Sequence, residues 1–232
     1  ELGYRHIDTA QAYENEHGVG EGIRASSIPR DEIFVTSKVL AEIKNYDDAV
    51  RSIDESLRKA KLDRFDLMLI HCPQPWNEYG NEYRYFEENR AVWKALEEAY
   101  EDGKVRSIGV SNFSIEDLES LKVTARIRPM VNQIPVFIGY TDLELIRYCQ
   151  DNGITVEAYS PLGHGDVFKN KALLPYAEKY RVSVAQLCIR YTLQLDAISL
   201  PKTTNPDRMR QNASLDFVIS DADMEALKSF TW

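Results

Sequence analysis

The sequence predicts an α/β protein of the (β/α)8 TIM barrel class, and three observations carry this prediction. Short apolar stretches alternate seven times with longer amphipathic segments, which is typical of a parallel sheet whose strands are joined by helices. The short stretches are apolar on both faces, as strands covered by helices must be. Polar side chains stand at the C-terminal end of nearly every stretch, the edge at which barrels and open α/β sheets place their sites.

The predicted strands come at intervals along the whole chain, at residues 4–8, 33–38, 66–71, 107–111, 130–133, 155–159 and 198–200. Helical spacing of apolar residues is clearest in the segments 47–61, 90–102, 115–121, 142–151 and 184–193. Gly103 and Gly153 stand where helices end, just before a new strand. Ser114 is a candidate N-cap, but Asp117 replaces the longer Glu or Gln of a full capping box, so we expect an imperfect cap. No linker or composition break divides the chain, so we expect a single domain over residues 1–232.

A dinucleotide-binding sheet of the Rossmann type is the main alternative to the barrel. Gly18, Gly20 and Gly22 form a G-x-G-x-G run that lies ten residues after the first strand. The Rossmann fingerprint requires G-x-G-x-x-G in the turn directly after its strand, and position 23 is Ile. The glycines therefore indicate the start of a helix that packs closely against a neighbour.

Composition and charge exclude several classes of function. The 232 residues include 28 Lys and Arg against 37 Asp and Glu, for a net charge of −9. Nucleic-acid binding needs a basic footprint, so we expect no nucleic-acid partner. No apolar run approaches the roughly 20 residues that span a bilayer, so we expect no membrane partner. The three cysteines are sparse and widely spaced, which indicates a reducing, cytoplasmic location, and no spacing of ligands predicts a metal site.

Eight short motifs follow one another along the chain, at residues 4–10 (YRHIDTA), 13–16 (YENE), 36–38 (TSK), 69–71 (LIH), 108–113 (IGVSNF), 131–133 (VNQ), 158–163 (AYSPLG) and 200–203 (LPKT). Together they resemble the motifs of the aldo-keto reductase family, and the local sequence is similar to that of its bacterial 2,5-diketo-gluconate and methylglyoxal-type reductases. The resemblance covers nearly the whole chain. It places the family's first barrel strand and helix, and its C-terminal tail, outside these residues, so we expect a fragment of a longer protein.

Carbonyl reduction needs a hydride donor, a proton donor and a group that polarises the carbonyl. Tyr13 is the expected general acid, and Lys38 is expected to favour its ionised form, since an ordinary phenol has a pKa of about 10. Asp8 is expected to hold Lys38, and His71 to orient the substrate oxygen. The resemblance implies the same four residues as a catalytic tetrad. Taken singly, each has a structural alternative: a rim aromatic, a surface lysine, a helix cap or a core histidine.

Residues for a nicotinamide cofactor are expected at the later strand ends. Ser111, Asn112 and Gln133 offer donors and acceptors to a carboxamide, and Tyr159 offers a ring for stacking. For Ser111 and Asn112, a turn at a helix start is the alternative. The resemblance adds two cofactor residues on the following loop, Ser160 and Leu162.

A second cofactor group is expected after the last strand. Lys202 and Arg208 converge near a helix start, which predicts an anion site suited to an adenosine 2′-phosphate and therefore NADPH over NADH. Arg210 lies on another face of that helix and is expected to be a solvated charge. The remaining cofactor candidates here are Thr203, Asn205, Gln211 and Asn212.

Substrate residues are less determined by the sequence. Trp76 and Phe113, with His71, are candidates for the mouth of the site, although either aromatic residue fits a packing role equally. The resulting hypothesis is a monomeric NADPH-dependent reductase of small polar aldehydes or ketones. An NADPH-sensing regulatory subunit and a catalytically inactive fragment are the alternatives.

Overall fold

A computed structural model of the protein describes residues 2–231, so the end positions of the predicted domain, 1 and 232, lie outside the described residues. Within this range the chain forms seven strands. They are β1 His6–Asp8, β2 Phe34–Val39, β3 Leu67–Ile70, β4 Ile108–Ser111, β5 Val131–Pro135, β6 Thr155–Tyr159 and β7 Ala197–Leu200. Each predicted strand is confirmed, with bounds that shift by at most two residues.

Helices fill the segments between the strands. They are α1 Glu16–Ala25, α2 Tyr46–Ala60, α3 Phe86–Glu101, α4 Ile115–Lys122, α5 Leu143–Asp151, α6 Leu174–Tyr180, α7 Val184–Gln194, α8 Pro206–Ala213 and α9 Asp221–Lys228. The periodicity did not predict α6 and α9. Among the described helices, none combines the length and apolarity that a bilayer crossing requires.

The chain forms two compact units, which are described separately. The N-terminal unit, Gly3–Asn132, contains α1–α4 and the parallel pairs β1–β2, β2–β3 and β3–β4. The C-terminal unit comprises, among the described residues, Leu2 and residues 133–231, and it contains α5–α9 and the parallel pair β6–β7.

Close packing of α1 against α2 in the N-terminal unit depends on one glycine. A Cβ atom at Gly20 would lie 1.8 Å from the carbonyl oxygen of Ala60, whereas the Cβ positions at Gly18 and Gly22 face open space. The glycine run is therefore a helix-packing device, as predicted, and Gly20 is the member that requires the absence of a side chain.

The helix ends follow the predicted residues, with one correction. Gly103 and Gly153 adopt positive φ angles of 73° and 69° directly after the C-caps of α3 and α5. The expectation of an imperfect cap on α4 is wrong. The Asp117 carboxylate accepts from the Ser114 backbone N–H at 3.0 Å, and the Asp117 N–H donates to the Ser114 hydroxyl at 3.3 Å, which is a complete capping box.

In the C-terminal unit, side chains fasten the last helix. The amide of Gln194 in α7 exchanges two hydrogen bonds with the backbone of Ile219, at 2.9 and 2.7 Å. Lys179 in α6 pairs with Asp223 in α9 at 2.6 Å. These contacts hold α9 beside α6 and α7.

Candidate active site

The four predicted catalytic residues meet at the C-terminal ends of neighbouring strands in the N-terminal unit. Asp8 ends β1 and Lys38 is the penultimate residue of β2. His71 follows β3 directly, and Tyr13 closes the 3-10 turn Gln11–Tyr13 after β1. Because these strands are parallel, their C-terminal ends share one edge, which is the edge that the sequence predicted for the site.

Lys38 forms the centre of this group. Its side chain is fully buried, and Nζ donates to Asp8 Oδ2 at 2.6 Å and to the Thr9 carbonyl oxygen at 2.8 Å. The ammonium lies 5.0 Å from the centroid of the Tyr13 ring, a distance suited to a cation–π contact. A buried charge needs such partners, so the geometry keeps the Lys38 ammonium fixed beside Tyr13.

The acid–base state of Tyr13 differs from the sequence-based expectation. Burial and the Asp8 carboxylate raise the pKa of Tyr13 to about 12, so the net shift is opposite to the lowering expected from Lys38. The physical reason is that burial and the negative Asp8 carboxylate both disfavour the phenolate, and Asp8 also offsets part of the attraction that Lys38 exerts on it. Tyr13 is therefore a neutral phenol, half exposed, and its hydroxyl makes no hydrogen bond to the rest of the described chain.

His71 is a neutral imidazole in the same cluster. Burial and the Lys38 charge lower the pKa of His71 to about 4. Its ring lies edge-to-face against Tyr13, with centroids 5.7 Å apart. Nδ1 of His71 is buried and has no hydrogen-bond partner among the described residues. A neutral imidazole carries one ring N–H, so His71 is a hydrogen-bond donor without charge at physiological pH.

The predicted substrate residues separate into a surface and a core position. The Trp76 ring is 43% exposed and stands edge-to-face against His71 at 5.3 Å. Phe113 is 1% exposed, which favours its packing alternative over a contact with substrate. Tyr79 continues the exposed aromatic row, with its ring 6.0 Å from that of Trp76.

Ser111 and Asn112 lie at the end of β4 in the same unit. The Asn112 amide donates to the His71 carbonyl oxygen at 3.0 Å and to the Ser111 hydroxyl at 3.1 Å. Asn112 has a φ of 63°, a left-handed conformation that asparagine tolerates better than most residues. Ser114 caps α4 two residues later, so the helix-start role belongs to Ser114. The carboxamide contact of Ser111 and Asn112 stays a prediction.

In the C-terminal unit, Gln133 is held by a buried carboxylate. Its Nε2 donates to Glu157 Oε2 at 2.8 Å, and both side chains are almost fully buried. Glu157 was not predicted, since an acidic residue inside an apolar strand gives no distinctive signal. Tyr159, the last residue of β6, is half-buried, so part of its ring is accessible for stacking.

The segment after β6 turns sharply. Ser160 has a φ of 49°, and its hydroxyl lies 3.2 Å from Nε2 of His164. Leu162 is half-buried and precedes the 3-10 segment Gly163–Phe168, in which His164 and Gly165 are left-handed. These contacts shape the loop that carries Ser160 and Leu162. The contribution of these two residues to cofactor binding stays a prediction.

Lys202 and Arg208 are two exposed cations without an anionic partner in the part of the chain that the structure describes. Lys202 lies on the loop after β7, and Arg208 lies in the first turn of α8. Arg210 in the same helix pairs with Asp207 at 2.7 Å, which agrees with its predicted role as a surface charge. In a chain of net charge −9, two unpaired cations near a helix start are suited to a phosphate.

Two of the remaining candidates of this group, Asn205 and Thr203, have structural roles that the sequence did not reveal. Asn205 caps α8 by accepting from the N–H groups of Asp207 and Arg208, at 2.8 and 3.2 Å. The Thr203 hydroxyl accepts from the Asn205 N–H at 3.2 Å. Gln211 is exposed, and Asn212 is 5% exposed. Their cofactor contacts stay predictions.

Comparison with known proteins gives one consistent result. A model of the aldo/keto reductase family matches residues 1–231. Glyoxal reductase of Bacillus subtilis (strain 168) is 42% identical over 226 residues, 97% of this chain and 78% of that protein.

Solved structures give the same result. MGS-M4, an aldo-keto reductase from a Medee basin deep-sea metagenome library, matches with a TM-score of 0.90 and 36% identity, over 98% of this chain and 82% of that one. The Bombyx mori aldo-keto reductase in complex with NADP matches with a TM-score of 0.87 and 36% identity, over 99% and 79%. These matches confirm the predicted (β/α)8 barrel class. The chain therefore belongs to the aldo/keto reductase family of NADP-dependent carbonyl reductases.

Proposed function

We propose that this protein reduces small polar aldehydes and ketones to alcohols with NADPH, and that Tyr13 is the proton donor. The observation that carries the proposal is the position of the Lys38 ammonium, which lies between the Asp8 carboxylate and the Tyr13 ring. The neutral imidazole of His71 lies beside the same ring. Together these groups supply a proton, a fixed positive charge and a hydrogen-bond donor within one cluster.

The residues present fit NADPH. Lys202 and Arg208 provide unpaired cations for the 2′-phosphate that distinguishes NADPH from NADH. Gln133 provides an amide held in place by Glu157, and Tyr159 provides a partly exposed ring. When bound, NADPH supplies the hydride that adds to the carbonyl carbon.

Tyr13 completes the reduction. As the carbonyl oxygen gains negative charge, the O–H bond of Tyr13 breaks and its proton moves to that oxygen, which leaves an alcohol and a phenolate. Lys38 stabilises the phenolate by its positive charge, and Asp8 keeps Lys38 in place. Because Tyr13 is half exposed, water returns the proton afterwards.

His71 orients the carbonyl. With a pKa of about 4 it is uncharged at neutral pH, so it acts through a neutral N–H and does not compete with Tyr13 as the acid. The exposed Trp76 ring stands against His71 and limits the approach of bulky groups. A relative that is a glyoxal reductase supports a short, polar carbonyl compound as substrate.

Two measurements on the purified protein test this proposal. Consumption of NADPH is followed by absorbance after addition of glyoxal, and NADPH and NADH affinities are measured by fluorescence titration. We expect NADPH consumption matched by alcohol formation, with NADPH bound more tightly than NADH. Tight NADPH binding without turnover would instead indicate a regulatory subunit, and no binding would indicate an inactive fragment.

The same proposal includes a monomer, organised as one domain, in the cytoplasm. The three cysteines are buried free thiols, which suits a reducing compartment: Cys72, Cys149 and Cys188. Size-exclusion chromatography with light-scattering detection is expected to give the mass of one chain. A dimer mass would contradict the monomer.

A further inference from the structure

The loop between β3 and α3 carries the aromatic residues next to His71. Trp76 lies 5.3 Å from His71 and Tyr79 lies 6.0 Å from Trp76, measured between ring centroids. Both rings are largely exposed. Long exposed loops are commonly mobile. This aromatic row can shape the site only if other contacts of the loop hold Trp76 against His71.

A buried glutamine closes the loop on itself. Gln74 is 3% exposed, and its Nε2 donates to the carbonyl oxygens of Asn81 and Tyr83 at 2.9 and 2.6 Å. Its Oε1 accepts from the Gly80 N–H at 2.9 Å. The segment that contains Trp76 is therefore one compact turn, and its position depends on how the ends of that turn are attached.

Lys44, on the loop after β2, attaches both ends. Its Nζ donates to the Cys72 carbonyl oxygen and to Asn89 Oδ1, each at 2.9 Å, and lies 5.9 Å from the centroid of the Tyr85 ring. The Asn89 amide donates in turn to the Pro73 carbonyl oxygen at 2.8 Å. One half-buried ammonium thus joins the start of the loop, its end and the first turns of α3.

We propose that Lys44 is a positioning residue that sets substrate selectivity, because it holds the loop so that Trp76 stands against His71 and restricts the site to short, unbranched carbonyl compounds. This inference rests on the proposed function and deepens it. Lys44 acts through the loop and touches no reacting atom. Loss of its charge weakens the attachment of Cys72 and Asn89, so bulky aldehydes gain access relative to short ones.

Lys44 also loses its charge within the pH range of ordinary buffers. Burial lowers the pKa of Lys44 to about 8, although surrounding groups oppose this shift. Those groups are Cys72, Glu42, Glu88 and Asp117, in order of effect. An uncharged amine keeps hydrogen bonds but loses charge assistance and the attraction to the Tyr85 ring. Selectivity for short aldehydes is therefore high below about pH 8 and falls above it.

Three variants test the inference: Lys44→Met, Lys44→Arg and Lys94→Met. Lys94 is the matched control, since its ammonium also lies over a tyrosine ring, that of Tyr46 at 5.0 Å, but it contacts no residue of the loop. The measurement is the ratio of kcat/KM for glyoxal to kcat/KM for a bulky aromatic aldehyde. We expect Lys44→Met to lower this ratio at least about threefold and Lys94→Met to leave it unchanged. Equal losses for both aldehydes would show a merely structural role and overturn the proposal.

The pH profile gives a second arm. The ratio of the unmodified protein is expected to fall between about pH 7 and pH 9, and the fall is expected to vanish in Lys44→Arg, which stays charged. A fall that persists in Lys44→Arg would also overturn the proposal.

A third arm needs no turnover. Trp76 fluorescence, isolated by subtracting the signal of Trp76→Phe, is expected to change near pH 8 in the unmodified protein and to stay constant in Lys44→Arg. An invariant signal in both would contradict a loop held by Lys44. Absence of reduction of either aldehyde, with this fluorescence change intact, would refute the proposed function and leave the loop's attachment standing.

Discussion

The neutral imidazole of His71 makes folding stability depend on pH. Burial and the Lys38 charge lower the pKa of His71 in the folded protein from 6.5 to about 4. The unfolded chain therefore binds this proton more readily than the folded one. Acid shifts the equilibrium toward unfolding: the contribution of His71 is complete above pH 6.5 and is lost as the pH falls toward 4. At about pH 5 the two pKa values correspond to a loss of about 2 kcal/mol relative to about pH 7.5.

Urea unfolding at these two pH values, in the unmodified protein and in His71→Asn, measures this contribution. The unmodified protein is expected to lose about 2 kcal/mol more unfolding free energy on acidification than His71→Asn does. His17→Asn is the matched control, since the His17 side chain is 56% exposed. This variant should lose as much unfolding free energy on acidification as the unmodified protein does. Equal losses in the unmodified protein and in His71→Asn would refute the assignment of a buried neutral imidazole.

The remaining predictions concern the cofactor, α1 and the domain. Arg208→Ala should weaken NADPH binding about tenfold or more and NADH binding little, since a charge-assisted phosphate contact is worth about 1.5–3 kcal/mol. The control Arg210→Ala should change neither affinity. Equal weakening of both cofactors by Arg208→Ala would contradict the assignment of Arg208 to the 2′-phosphate. Gly20→Ala should lower the unfolding free energy by about 1–3 kcal/mol because its Cβ meets the backbone of α2, while Gly22→Ala, in open space, should raise it by up to about 1 kcal/mol. Calorimetry should show one cooperative transition for a single domain; two separated transitions would contradict that organisation.

Much of the fold could be predicted from the sequence because buried parallel strands are apolar on both faces and end at polar residues. Strand β6, Thr155–Tyr159, has the predicted bounds. Helices α6 and α9 were missed because they are short, and tertiary contacts such as the Lys179–Asp223 pair hold them in place. The cap of α4 was underestimated, because the Asp117 carboxylate is close enough to reach the Ser114 N–H at 3.0 Å.

The candidate site was predictable where chemistry follows a strand end and not where it depends on packing. Asp8, Lys38 and His71 follow that rule, and the structure brings them together. The raised pKa of Tyr13 could not be predicted, since it depends on how deeply the fold buries the phenol and on how close the Asp8 carboxylate lies to it. Lys44 is a single lysine in a loop with no motif around it, and only its contacts reveal its role.

The central claim is that Tyr13 donates the proton to the reduced carbonyl, and Tyr13→Phe tests it most directly. Rapid-mixing absorbance measures NADPH oxidation by glyoxal in this variant, while fluorescence titration measures NADPH affinity in the same preparation. We expect the rate of NADPH oxidation to fall by about 10²–10⁴-fold, the usual contribution of a general acid, with NADPH affinity nearly unchanged. The Tyr79→Phe control should keep most of the rate. A Tyr13→Phe variant that oxidises NADPH at the unmodified rate would contradict the account.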